Sequence, residues 1–157
     1  RVDAAPIDGL KIGADYANTD GSTATAQEAE SGAYFAQYAM GNFKVGYGKS
    51  LYAVPLTDKN GNVTEYDTTS YGVEFAVNDQ LSISYTKEKS EAITAVAIVD
   101  GASSNTKTSV ESDITTLQAA YVIGGATVGV ATTETSDADY TSGKEEKVTV
   151  LSIAMAF

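Results

Sequence analysis

Cysteine and histidine are both absent from the 157-residue chain. Their absence removes disulfides, thiolate nucleophiles, Ser-His-Asp and Cys-His relays, and any zinc site built on imidazole or thiolate. An enzyme is therefore not expected, and neither is a cofactor. Basic residues are scarce, ten against 21 acidic ones, for a formal net charge of −11. A protein that grips a phosphate backbone needs a basic face, so nucleic acid is excluded as a partner. Long apolar runs are missing as well: stretches such as Ala95–Val99 are far too short for a helix that crosses a bilayer. Tryptophan is absent and proline occurs twice. No basic-then-apolar leader opens the chain, which begins Arg1-Val2-Asp3 and is expected to be a mature or truncated product. What is plentiful is Tyr (10) and Gly (14), a composition of strands and tight turns. The length fits one domain covering residues 1–157.

Apolar residues recur with period 2. Leu10, Ile12, Ala14 and Tyr16 alternate with Lys11, Gly13 and Asp15. The same alternation runs through Phe43–Tyr47, Tyr71–Val77, Leu81–Tyr85, Leu117–Ile123, Ala126–Thr132 and Leu151–Phe157. Ser31–Met40 fits with Tyr34, Ala36, Tyr38 and Met40 on the apolar side, which leaves Phe35 on the other. Eight strands are expected, plus a stub at Arg1–Ala5. Tight turns at Asp8-Gly9, Gly41-Asn42, Asn78-Asp79 and Gly124-Gly125 close hairpins at one end. Between them lie the polar segments Asp20–Glu30, Pro55–Asp67, Lys89–Asp113 and Thr135–Glu146, expected as long loops at the other end. This alternation points to an all-β protein, an antiparallel transmembrane β-barrel with short periplasmic turns and long extracellular loops. A soluble β-sandwich with uneven loops shares the same period.

The polar parity separates the two. It carries Gly13, Ala17, Ala39, Gly46, Gly48, Gly72, Ala76, Ser82, Ser84, Gly129, Ala131, Ser152 and Ala154. Solvent faces of soluble sheets carry Lys, Glu and Thr instead, and a sandwich core needs more apolar volume. Small side chains with scattered Lys11, Asp15, Gln37, Lys44, Glu74 and Gln118 suit the wall of a water-filled lumen, and these six are the candidate pore-lining residues.

On the apolar parity the aromatics sort into two levels. Tyr38, Phe43, Phe75, Tyr121 and Phe157 fall near the short-turn end, while Tyr16, Tyr34, Tyr47, Tyr71 and Tyr85 fall five to seven positions away. Two such levels match the girdles that flank a lipid band about 25 Å tall. Apart from Asp3, Asp8, Asp15, Glu74 and Asp79, every acidic residue lies in or beside a long segment, leaving the strands nearly uncharged. Lys49, Lys87 and Lys147 share the apolar parity at the long-loop end. They are placed either to meet lipopolysaccharide phosphates or to act as gatekeepers at strand ends.

The final segment, Lys147 to Phe157, has apolar residues at Leu151, Ile153, Met155 and Phe157 and stops on an aromatic. It resembles the C-terminal signal that bacterial barrel-assembly machinery reads in outer-membrane proteins. Together with the turn and loop pattern, the chain resembles the C-terminal half of a Gram-negative general porin, the kind closed by 16 strands and assembled as trimers. The resemblance implies passive diffusion of ions and small hydrophilic solutes, a homotrimer in the bacterial outer membrane, and contact with outer-membrane lipid and lipopolysaccharide. About half of such a porin's strands are present, and the loop that folds into its bore would lie in the missing half. Asp15, Glu74 and the acidic loops, partly opposed by Lys11 and Lys44, predict a mild cation preference. The alternative is a small closed eight-stranded outer-membrane barrel with a structural or surface-binding role.

Other signals are weak. Asp58-Lys59-Asn60-Gly61-Asn62 opens like a calcium loop but lacks the later ligands. Glu134, Asp137, Asp139, Glu145 and Glu146 read as a solvated acidic loop rather than a metal site or paired hydrolytic acids, so no metal is expected. The apolar island Ala92–Val99 reads as an extra hairpin arm above the membrane.

Overall fold

The computed structural model describes residues 1–19, 29–55, 63–95 and 107–155. They form one antiparallel sheet in which every strand pairs with its sequence neighbours. Its strands are β1 (Val2–Ala4), β2 (Leu10–Thr19), β3 (Ala29–Met40), β4 (Phe43–Ala53), β5 (Val63–Ala76), β6 (Leu81–Ala95), β7 (Lys107–Ile123), β8 (Ala126–Ser136) and β9 (Glu146–Met155). A single 3-10 turn, Ala138–Tyr140, lies between β8 and β9. The expected eight strands and stub are therefore nine strands, the stub being β1.

The expected barrel is not closed. The sheet is open, and among the described residues no ladder joins β1 to β9. Both run the same way in an all-antiparallel meander, so pairing them would require a parallel seam rather than another hairpin-type ladder.

The four tight turns sit at one end and the longer connections at the other. Gly9, Gly41 and Gly124 take left-handed backbone in three of those turns, a conformation glycine adopts without steric cost. The turns are evenly staggered. Leu10 pairs with Tyr38, and Met40, two residues on, closes the next hairpin with Phe43. Phe43 faces Phe75, and Val77, again two residues on, meets Leu81 across the third turn. Leu81 faces Tyr121, and Ile123 closes the fourth turn with Ala126. The stagger is thus about one residue per strand. With a rise of about 3.3 Å and a strand spacing of about 4.8 Å, level turns correspond to a tilt of roughly 35°, at the lower edge of the range closed barrels use.

The long-loop end departs from expectation. The residue pattern predicts a loop over Lys89–Asp113, but β6 runs on to Ala95 and β7 begins at Lys107, with Lys89 opposite Asp113 in register. Ala92–Ala95 accordingly belongs to a paired hairpin arm, while residues 96–99 of the island lie outside the described residues, as do the Asp58–Asn62 motif and Phe157. β5 similarly begins at Val63, within the expected Pro55–Asp67 loop. These arms carry Glu65, Asp67, Lys87, Lys89, Glu91, Glu111 and Asp113, so the strands are not nearly uncharged. Alternating Thr, Ser and charge satisfies a ladder as well as apolar residues do, but leaves no hydrophobic period to read.

Register places the two parities on opposite faces, with one shift between Val63 and Glu65 at the start of β5. Almost no conventional core exists: among the described residues the buried hydrophobics are Ala92 and Ala138. Large apolar side chains such as Tyr16, Leu117, Leu151 and Ile153 are instead more than 60% exposed.

Candidate functional site

The polar face is assembled rung by rung. One rung reads Lys11, Gln37, Gly46, Gly72, Thr86, Thr116, Thr133 from β2 to β8, and the next toward the short turns reads Ala39, Lys44, Glu74, Ser84, Gln118, Ala131 from β3. All six sequence candidates lie on this face. The structure gathers three of them: Gln37, Lys44 and Glu74 line an open hollow of about 370 Å³. Its floor is Gly46, Gly48 and Gly72, and hydroxyls of Ser70, Ser84 and Thr86 rim it. Lys11 stands opposite Gln37 but lines a separate groove with Arg1 and Asp3. Gln118 is one strand beyond Ser84, and Asp15 stands on a different rung opposite Ala33.

Lys44 Nζ and Glu74 Oε2 are 2.7 Å apart on directly opposed residues of β4 and β5. Both side chains are about two-fifths exposed. The pair cancels its own charge locally, so Glu74 is not the free anion that the residue pattern alone suggests. Other negative charge on this face comes from Asp15, from Glu88 opposite Ser70, and from the loop end.

Phe35, on the face opposite its aromatic neighbours, has a place there. A Cβ on Gly13 would run into the Phe35 ring and stand 2.6 Å from the Asp3 carboxylate. The bare glycine leaves room for the ring to lie across β2, an arrangement in which an aromatic covers an otherwise uncovered glycine. Sequence alternation identified neither the contact nor its partner.

Toward the loop end this face changes character. Tyr52 and Tyr66 stack at 6.5 Å, and Tyr140 packs on Tyr66 at 5.4 Å. The Tyr140 hydroxyl shares a 2.8 Å hydrogen bond with Ser90 Oγ, which shares another of 2.8 Å with Thr68 Oγ1. Beneath lie Ser90, Ala92 and Ser112, with Ala138 in the loop above, all at most 6% exposed. Ser112 Oγ donates to the Ser136 carbonyl, tying β7 to the start of the loop. The loop holds Asp137, Asp139 and Tyr140 at positive φ, a conformation costing roughly 1–3 kcal/mol per residue and kept only where surrounding contacts enforce it. Asp137 accepts the Gly143 N–H, and Lys144 pairs with Asp139 and Glu146. Those two hydrogen bonds, Asp139 first, hold the Lys144 ammonium above its ordinary range. With Glu134 on Lys147 and Glu145 accepting from Ser136, each of the five loop carboxylates has a partner. Among the described residues, no group of three acidic side chains is arranged to hold a metal.

The opposite face is apolar toward the turns and ends in ion pairs. Lys49 meets Asp67 at 3.0 Å, Lys87 meets Asp113 at 3.3 Å, Lys89 meets Glu111 at 2.6 Å, and Lys147 meets Glu134 at 2.6 Å. Lys49, Lys87 and Lys147 thus already have carboxylate partners, and an external phosphate would have to compete with them. Nearer the turns, Phe43 and Phe75 pack at 4.6 Å, and Leu151, Ile153 and Met155 of the C-terminal segment are exposed opposite Val130, Val128 and Ala126. No family model, curated protein or solved structure matches this chain.

Proposed function

We propose that the chain is part of an outer-membrane porin, with the small polar face lining a water-filled passage for ions and small hydrophilic solutes and the apolar face turned to lipid. The observation that carries this reading is the division of the sheet: most exposed large apolar side chains lie on one face, while the other is mainly glycine, alanine, serine, threonine and a few charged residues, with Phe35, Val122, Val148 and Val150 among its larger apolar members. A water-soluble sheet with that division would leave its apolar face uncovered. Lipid covers such a face, and water fills the lumen on the other side.

Two further features support it. The even stagger of the short turns is the stagger a tilted barrel needs. The apolar band also has a suitable height. Along β9 the rise from Met155 to Lys147 is about 26 Å, or about 22 Å after a 35° tilt, close to the ~25 Å lipid band. Ion pairs then begin where headgroups would. In lipid an unpaired strand edge leaves backbone groups unsatisfied at several kcal/mol each, so β1 and β9 need partner strands, supplied by further chain or by a different closure. Insertion by the barrel-assembly machinery, with Leu151, Ile153, Met155 and Phe157 as its signal, and a homotrimeric state belong to the same proposal.

The test is single-channel recording in planar bilayers with the purified protein, alongside heat-modifiable migration on gels. Stepwise conductance proportional to salt concentration supports the reading. A stable, heat-modifiable barrel without conductance would replace it with a closed structural or surface-binding barrel.

A further inference from the structure

Loop 137–145 is not an ordinary surface connection. It turns onto the polar face, packs on β7, and buries Ala138 to 2% exposure. Its anchor is Tyr140, whose ring meets Tyr66 and whose hydroxyl meets Ser90 on β6. Three non-glycine residues in left-handed backbone, Asp137, Asp139 and Tyr140, are held there by the loop's own bonds to Gly143 and Lys144 together with this seat. Around the Lys44–Glu74 pair the polar face has an open floor of glycines and hydroxyls. The loop adds bulk to this face at its long-loop end.

We infer that loop 137–145 is a fixed constriction element of the passage, seated by Tyr140, and that it sets the size limit and adds cation preference at the long-loop end. This inference rests on the porin reading. The loop and the first residue of β9 carry Asp137, Asp139, Glu145 and Glu146 against Lys144 alone, so whatever passes beside them meets a negative rim. Tyr140 is a positioning residue, acting by holding the loop against β5 and β6 on the polar face. Removing its ring and hydroxyl contacts shifts the seated state by roughly tenfold, from the ordinary worth of one aromatic contact and one hydrogen bond.

The absence of native cysteine makes a direct test simple. Ser112→Cys places a thiol on the polar face under the loop, where Ser112 is 5% exposed, and Ser84→Cys places one in the open hollow. A charged thiol reagent should label the Ser84→Cys protein readily and the Ser112→Cys protein slowly. Adding Tyr140→Ala to Ser112→Cys should raise the labelling rate by roughly tenfold, with Tyr140→Phe intermediate because it retains the ring. In bilayers, Tyr140→Ala in the cysteine-free protein should raise conductance and admit larger neutral solutes. Fast labelling of the Ser112→Cys protein with Tyr140 intact overturns the seating. Increased labelling with unchanged conductance and size limit overturns the constriction while leaving the channel. Absence of conductance in every variant refutes the porin reading itself, and the labelling rates still decide whether the loop is seated.

Discussion

Replacing Lys44 or Glu74 one at a time tests whether the hollow lies beside an ion path. The two side chains form a 2.7 Å pair, each about two-fifths exposed. Such exposed pairs contribute about 0.2–1 kcal/mol to stability, so neither Lys44→Gln nor Glu74→Gln should unfold the protein. Each leaves one uncompensated charge on the wall. For an ion passing at about 7 Å, Coulomb's law gives roughly 0.6 kcal/mol at the dielectric of water and about 2.4 kcal/mol at an effective value of 20. Screening at physiological salt reduces these to about 0.25 and 1 kcal/mol, or a 1.5- to 5-fold change in local cation enrichment. Lys44→Gln should therefore move the zero-current potential in a salt gradient toward greater cation preference, and Glu74→Gln away from it. The double variant should return close to the parent, because the intact pair is already neutral. Singles that shift in the same direction, or a double as displaced as either single, would refute the reasoning.

Gly13→Ala should cost about 1–3 kcal/mol, because its Cβ would occupy the place of the Phe35 ring, and in a Phe35→Ala background the penalty should fall. Urea titration of folding in lipid vesicles measures both, and equal penalties in the two backgrounds would show that the ring is not the obstacle. On β9, Leu151→Arg faces the apolar side and should cost about 2–4 kcal/mol of folding free energy in bilayers, whereas Ser152→Arg faces the polar side and should cost far less. Equal costs in the same titration would reject the assignment of faces. Lys144 is held above its ordinary value, so its bridges to Asp139 and Glu146 should be fully present below the unfolded lysine value of about 10.4 and be lost only as pH rises through the raised one. The chemical shift of the Lys144 ε-carbon should stay flat through that ordinary value, and a midpoint at or below it would contradict the paired geometry.

Much of this arrangement is legible in the residues alone, because it depends on local chemistry. Period-2 alternation assigned Leu10, Ile12 and Tyr16 to one face and Lys11, Gly13 and Asp15 to the other, since a strand turns successive side chains to opposite sides whatever its neighbours do. Gly41-Asn42 and Gly124-Gly125 marked hairpins because few other residues tolerate those backbone angles. The extent of β6 and β7 was hidden, as Lys87–Glu91 and Glu111–Thr115 have no hydrophobic period.

Tertiary structure alone decided the rest. It matched Lys44 with Glu74 and Lys87 with Asp113, laid Phe35 over Gly13, and seated Tyr140 on Ser90, pairings made between residues distant in sequence. It also left the sheet open between β1 and β9 among the described residues. A residue's face follows from its own strand. Its partner follows from register, which is summed over every turn and stagger between the two, and a loop's seat follows from surfaces that exist only once the strands have paired.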